Sequence, residues 1–111
     1  MKVQLSPDAI RLRLSDEEVQ QFDQAGRLAQ SLTLGPGPAH TLTFALLRLP
    51  GGDTASGPQV RFAEGELQVE LPETEVRAWA GSGQVGVKGA VIGTDGQEIR
   101  IIVEKDLGPS H

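Results

Sequence analysis

A chain of 111 residues with 15 acidic and 10 basic side chains has room for one hydrophobic core and carries a net charge of −5. That balance weighs against nucleic acid or an anionic membrane as principal partner, because phosphates and acidic headgroups select positive surfaces. Cysteine is absent, which removes disulfides, thiolate metal sites and cysteine nucleophiles and suits a reducing cytoplasm.

The opening "MKVQLSPDAI" has one lysine and no apolar core, so no signal peptide is expected, and no apolar run approaches the roughly 20 residues that span a bilayer. A cytoplasmic chain is the resulting expectation. With three Phe, one Trp and no Tyr, the interior falls to Leu, Val and Ile. Strands are predicted at 2–5 and 10–14. The alternation Ile10-Arg11-Leu12-Arg13-Leu14 places three aliphatics on one face and two arginines on the other. "SDEE" then opens a helix over about 16–25, with Ser15 as N-cap, Glu18 completing a capping box, and Val19 with Phe22 as its apolar stripe. Gly26 can adopt the left-handed conformation that ends a helix. Strands at 28–34 and 41–49 follow, separated by the stiff loop "GPGPAH".

The Gly- and Pro-rich stretch "PGGDTASGP" at 50–58 reads as a linker, and beyond it the same phrase recurs. Ile10 aligns with Leu67, Leu14 with Leu71, Val19 with Val76 and Phe22 with Trp79, at an offset of 57 that runs without a gap through Gly26–Gly83 and Leu28–Val85. Pro72 stands at the helix start in place of serine, "GSG" at 81–83 closes that helix, and Trp79 on its stripe reads as a core anchor. "GTDGQ" at 93–97 is a turn, and "EIRIIVEKD" is the last strand. The expectation is therefore a single α+β domain over 1–111. It is built of two pseudo-twofold ββαββ repeats, about 1–50 and 58–107, sharing one interior. Its strands form a mainly antiparallel sheet of about eight, curled or closed into a barrel, with two short helices.

The charged side of that sheet is the candidate binding surface: Arg11 and Arg13, Glu66 and Glu70 with Gln68 between them, and Arg100. Thr41, Thr43 and Glu104 extend it. Residues two apart on a strand share a face, so these side chains read either as a solvated surface pairing across strands or, if the sheet closes, as a polar lumen for an anion or a metal. Elsewhere the chemistry is sparse. His40 sits in a loop and His111 at the terminus, and neither has a metal-ligand spacing. "GSGQVG" spells G-x-G-x-x-G but follows a helix and leads into a strand, the reverse of a dinucleotide fingerprint.

Two resemblances follow from these residues. Duplicated antiparallel strands with one helix per half resemble the triphosphate-tunnel (CYTH-like) phosphatases. That likeness implies a charged barrel in which glutamates hold a divalent metal while lysines and arginines grip a triphosphate. The family's Glu-x-Glu-x-Lys is missing, since "MKVQL" offers Lys2 and Gln4, and "ELQVE" is broken by Gln68. The phrases "IRLRLSDEEV", "GPGP", "LPETEVRAWA", "QVGVKG" and "EIRIIVEKD" are similar to those of a family of small uncharacterised bacterial proteins, a domain of unknown function. No connected nucleophile, base and orienting group can be assembled from these residues. The expected function is a non-enzymatic binding or protein-interaction module without cofactors, taking a protein partner or a second copy. The alternative is a CYTH-like metal-dependent phosphohydrolase or phosphorylated-ligand binder using the polar interior.

Overall fold

The segments with alternating periodicity become strands and the two amphipathic segments become helices in a computed structural model that describes residues 1–49, 57–93 and 95–106. In chain order they are β1 (Lys2–Ser6), β2 (Ala9–Leu14), α1 (Asp16–Ala25), β3 (Arg27–Thr33), β4 (Thr41–Leu49), β5 (Gln59–Ala63), β6 (Glu66–Pro72), α2 (Glu73–Ala80), β7 (Gly86–Ile92) and β8 (Glu98–Lys105). A single 3-10 turn at Pro38–His40 precedes β4. Most of the segment predicted as a linker lies outside the described residues.

The signals at the ends of α1 work as their chemistry predicts. Ser15 Oγ accepts from the Glu18 backbone N–H at 3.2 Å, and Glu18 Oε1 accepts from the Ser15 N–H at 2.9 Å, which completes the capping box. Gly26, at φ 78°, terminates the helix by donating to the Phe22 carbonyl. The last turn of α1 holds no basic residue, and Arg48 from the end of β4 donates to the Asp23 carbonyl, bringing a cation to the negative end of the helix dipole. Lys105, at the end of β8, donates to the Ser82 carbonyl just beyond α2 at 2.8 Å, while α2 carries Arg77 in its own last turn.

The expected eight-stranded curled or closed barrel is not formed. The strands make two separate four-stranded mixed sheets, in the orders β1-β2-β8-β7 and β3-β4-β6-β5, so the α+β class and the two helices stand while the barrel is corrected. In each sheet the central pair is parallel, β2 with β8 and β4 with β6, and flanked by antiparallel hairpin partners. The reason lies in the helices. Helix α1 leaves β2 in the first sheet and delivers the chain to β3 in the second, while α2 makes the reverse crossing. Each sheet thus combines the opening hairpin of one half with the closing hairpin of the other. Among the described residues the sheet edges meet through other contacts instead of a ladder. Gln30 Nε2 donates to the Met1 carbonyl at 2.7 Å, and Pro58 lies against Gly89.

The inner faces of both sheets and the stripes of both helices close on one core that includes Leu12, Leu14, Phe22, Leu46, Leu71, Trp79, Ile101 and Val103. Trp79 is fully buried and its indole N–H donates to the Val85 carbonyl at 2.9 Å, as a core anchor requires. The order strand–strand–helix–strand–strand occurs twice, and its ladders match at the offset of 57. Val3 pairs with Leu12 as Val60 pairs with Val69, and Ile10 pairs with Ile101 as Leu67 pairs with Phe44. The offset is not gapless, however. Leu28 lies opposite Leu46 and Val87 opposite Val103, so the counterpart of Leu28 is Val87, at 87 − 28 = 59, in place of Val85. Helix α2 has 8 residues against 10 in α1, and the stretch 81–85 joins it to β7 where Gly26 alone joins α1 to β3.

Candidate functional site

Because inward positions are aliphatic, the alternating charged residues emerge on the outer faces of the two sheets, and the expected polar surface divides between them. Strand register sets three rows across the first sheet: Lys2, Arg13, Glu104 and Gly86; Gln4, Arg11, Ile102 and Lys88; Ser6, Ala9, Arg100 and Ala90. Arg11, Arg13 and Arg100 therefore share one face. Glu66 and Glu70 belong to the second sheet, where Glu70 neighbours Gln59 and Leu47, and Glu66 neighbours Ala63 and Thr43. The interior between the sheets holds Leu12, Val69, Ile101 and Val103, so among the described residues no polar lumen lies there to hold an anion or metal. The likeness to a charged tunnel fails on this point.

The carboxylates of the second sheet are matched locally. Arg27 donates to Glu66 at 3.0 Å and Gln68 donates to its other oxygen. These two bonds, the Gln68 amide first, outweigh desolvation and hold the Glu66 carboxyl below its ordinary value. Glu70, 9% exposed, has the Arg61 guanidinium 3.8 Å away.

The first sheet is balanced differently. Its outer face carries Lys2, Arg11, Arg13, Lys88 and Arg100 against Glu98 and Glu104, with Asp8 and Asp106 at its rim. Glu104 serves two arginines through one oxygen: Arg13 Nε lies at 2.7 Å and Arg11 Nε at 3.5 Å. The first is a charge-assisted hydrogen bond. The second is too long to be one, and Arg11 Nε is buried without a hydrogen-bond partner. Leaving such a donor unmade costs about 1–3 kcal/mol. Arg100 stands 3.6 Å from Asp8, both well exposed, and Lys2 pairs with Asp106 at 2.9 Å. Lys88 is exposed and has no ion pair among the described residues.

Beside Arg11 the face dips into an open hollow of about 180 Å³, lined by Gln4, Ser6, Ala9, Arg11, Arg100 and Ile102. Sequence reasoning found Arg11, Arg13 and Arg100 but missed Gln4, Ser6 and Lys88. The signal was present, since Gln4 and Ser6 alternate with Val3 and Leu5, and Lys88 with Val87. What was missing was the knowledge that β1 and β7 are the outer strands of the same sheet. The other candidates are bland. His40 is exposed with Nδ1 hydrogen-bonded to the Pro36 carbonyl, and His111 lies outside the described residues. Among the described residues no three His, Asp or Glu side chains converge as metal ligands, and no helix is long and apolar enough to cross a membrane.

Neither the curated proteins nor the solved structures contain a match to this chain. The family model that does match covers residues 1–108, in line with the motifs that run from "IRLRLSDEEV" to "EIRIIVEKD", and the chain belongs to DUF7009, a family of unknown function.

Proposed function

We propose that the protein is a non-enzymatic binding module whose working surface is the outer face of the first sheet, and that this face takes an acidic segment of a partner protein. The observation that carries the reading is the sharing of Glu104 between Arg11 and Arg13 on a face where five cations meet the two strand carboxylates Glu98 and Glu104, in a chain with net charge −5. Opposite charge on a partner speeds encounter and sets orientation, and it weakens as salt rises. The face carries no aromatic side chain on which a base would stack, which favours an acidic polypeptide over single-stranded nucleic acid. A cytoplasmic setting belongs to the same proposal and rests on the cysteine-free composition.

The test is a titration with a fluorescently labelled poly-glutamate peptide at low and moderate ionic strength, with a polyserine peptide as control. Saturable binding to the acidic peptide alone, weakened by salt and abolished in Arg11→Ser/Lys88→Ser, is the expected result. Arg27→Ser and Arg61→Ser, on the second sheet, should leave it unchanged. Equal loss from both faces, or no binding at low salt, would end the reading.

A further inference from the structure

We propose that the hollow beside Arg11 is a subsite for a phosphomonoester group, an inference that rests on the anion-binding reading of this face and narrows it. At about 180 Å³ the hollow is smaller than the roughly 300 Å³ at which sites for whole small molecules begin, so it accepts a head group while the carrier stays outside. Its donors come from three strands: Gln4 and Ser6 on β1, Arg11 on β2 and Arg100 on β8. Donors spread around a hollow suit a tetrahedral oxyanion with oxygens on every side, whereas a carboxylate offers two oxygens in one plane and is satisfied by one guanidinium. Charge points the same way. Arg11 has only the distant share of a carboxylate already bonded to Arg13, and its side chain, 39% exposed, lines the hollow. Asp8, on the β1–β2 turn, accepts from the Ser6 hydroxyl at 3.1 Å and stands 3.6 Å from Arg100. It occupies with one negative charge the donors that a phosphate dianion would take with two.

The phosphoryl group has two possible carriers, a phosphorylated side chain within an acidic segment or a small phosphate ester. They are separated by titrating glycerol 2-phosphate and an acidic peptide with and without one phosphoserine. The readouts are the Arg11 Nε–Hε and Gln4 side-chain amide resonances in ¹⁵N spectra of the full chain. Both resonances are expected to shift saturably with phosphate-bearing ligands. If the carrier is a peptide, the phosphoserine should tighten binding about tenfold, the value of one charge-assisted hydrogen bond. If it is a small ester, glycerol 2-phosphate should bind at least as tightly as the phosphopeptide.

Two variants isolate the site. Arg11→Lys keeps the charge and loses the planar fork, so it should keep its affinity for the unphosphorylated acidic peptide and lose the phosphate increment. Asp8→Asn should strengthen phosphate binding by removing its competitor. Binding of the acidic peptide with no phosphate increment would overturn the subsite and spare the face, while no binding of either peptide or of the ester would overturn both. An increment that survives Arg11→Lys unchanged would place the phosphate elsewhere.

Discussion

The two halves of the chain build the same ladders and bury the same kinds of residue, yet the outer faces of the two sheets they jointly form differ in charge. Where the first sheet has Lys2, Arg11, Arg13 and Arg100, the register-matched positions of the second have Gln59, Gln68, Glu70 and Thr43. Inward, the same comparison gives Leu12 against Val69, Leu14 against Leu71 and Phe22 against Trp79, with apolar character kept at each position. Packing constrains the interior, while the outward positions are free to vary, so an uneven charge there is where a binding role can be written without disturbing the fold. On these matching ladders we propose that the halves are copies of one unit. Lys2 Nζ lies 2.9 Å from Asp106, so Asp106 and Met1 can be joined by a short linker while the chain is opened within 50–56. This permuted chain should fold cooperatively with the same secondary-structure content by circular dichroism, and a molten product would sink the proposal.

The largest asymmetry inside the core is Trp79 against Phe22. Replacing either with alanine should cost about 3–5 kcal/mol by urea unfolding, because each is a fully buried aromatic and its loss leaves a cavity. Trp79→Phe, which makes the halves alike, should cost much less. The Val85 carbonyl that accepts the indole N–H also accepts the Lys105 backbone N–H at 2.8 Å, so it keeps a partner. A loss as large as that of the alanine variant would show that the indole bond, and not volume, holds this end of the core.

Next in size is the contact between sheet edges. A Cβ on Gly89 would come within 2.5 Å of Pro58 Cδ, so Gly89→Ala should destabilise by about 1–3 kcal/mol through overpacking. The matching position in the other half is Gln30, where a long side chain is accommodated and bonds to the Met1 carbonyl. Gln30→Ala should cost at most about 1 kcal/mol, the loss of one exposed hydrogen bond. Thermal melts of the two variants side by side measure how unequally the two edges are closed.

How far the sequence carried follows from the same particulars. Periodicity exposed every face, so β2, α1, β4, α2 and β8 were legible, as were the stripes Val19/Phe22 and Val76/Trp79 that fill the core. Partners were not legible. Nothing in the alternation of "IRLRL" says that its neighbour is "EIRIIVEK" running parallel from the other half, and the expectation of one mainly antiparallel sheet turns two mixed sheets into one barrel. That error merged two outer faces, which is why Glu66 and Glu70 were grouped with Arg11 and Arg13. The two-residue shift of β7 was equally hidden, because Val85 and Val87 are both apolar and either satisfies the pattern.

The helix starts offer a smaller contrast. Ser15 caps α1 through its side chain, whereas Pro72 opens α2 with no side-chain bond, so Ser15→Ala should cost about 1 kcal/mol while Pro72→Ala acts only through the backbone. Glu18 adds a pH dependence. Desolvation opposes its ionisation, but hydrogen bonds from the Met1 ammonium and the Ser15 backbone, together with the charge of that ammonium, outweigh it and hold the carboxyl below its ordinary value. A depressed carboxyl contributes stability above its unfolded value and loses it as pH falls through the folded one. The deficit of Glu18→Gln relative to the parent chain should therefore be full near neutrality and shrink with acidification below the ordinary carboxylate range. A constant deficit across that range would show that charge has no part in it.

The smallest effect expected is at the centre of the proposed face. Arg13 is about half exposed, and removing it frees the Glu104 oxygen that Arg11 now shares at 3.5 Å. Arg11 can then close on an undivided carboxylate, so Arg13→Ala should change stability by less than about 0.5 kcal/mol, within the usual range for surface pairs. The same closure would neutralise Arg11 and so weaken its call on any incoming anion. Arg13→Ala should accordingly reduce phosphate binding more than the loss of one peripheral charge explains, and Arg13→Ala/Glu104→Gln should restore it. If the double variant binds no better than the single one, the competition for Glu104 does not control the face, and the basic surface is only a solvated side of the sheet.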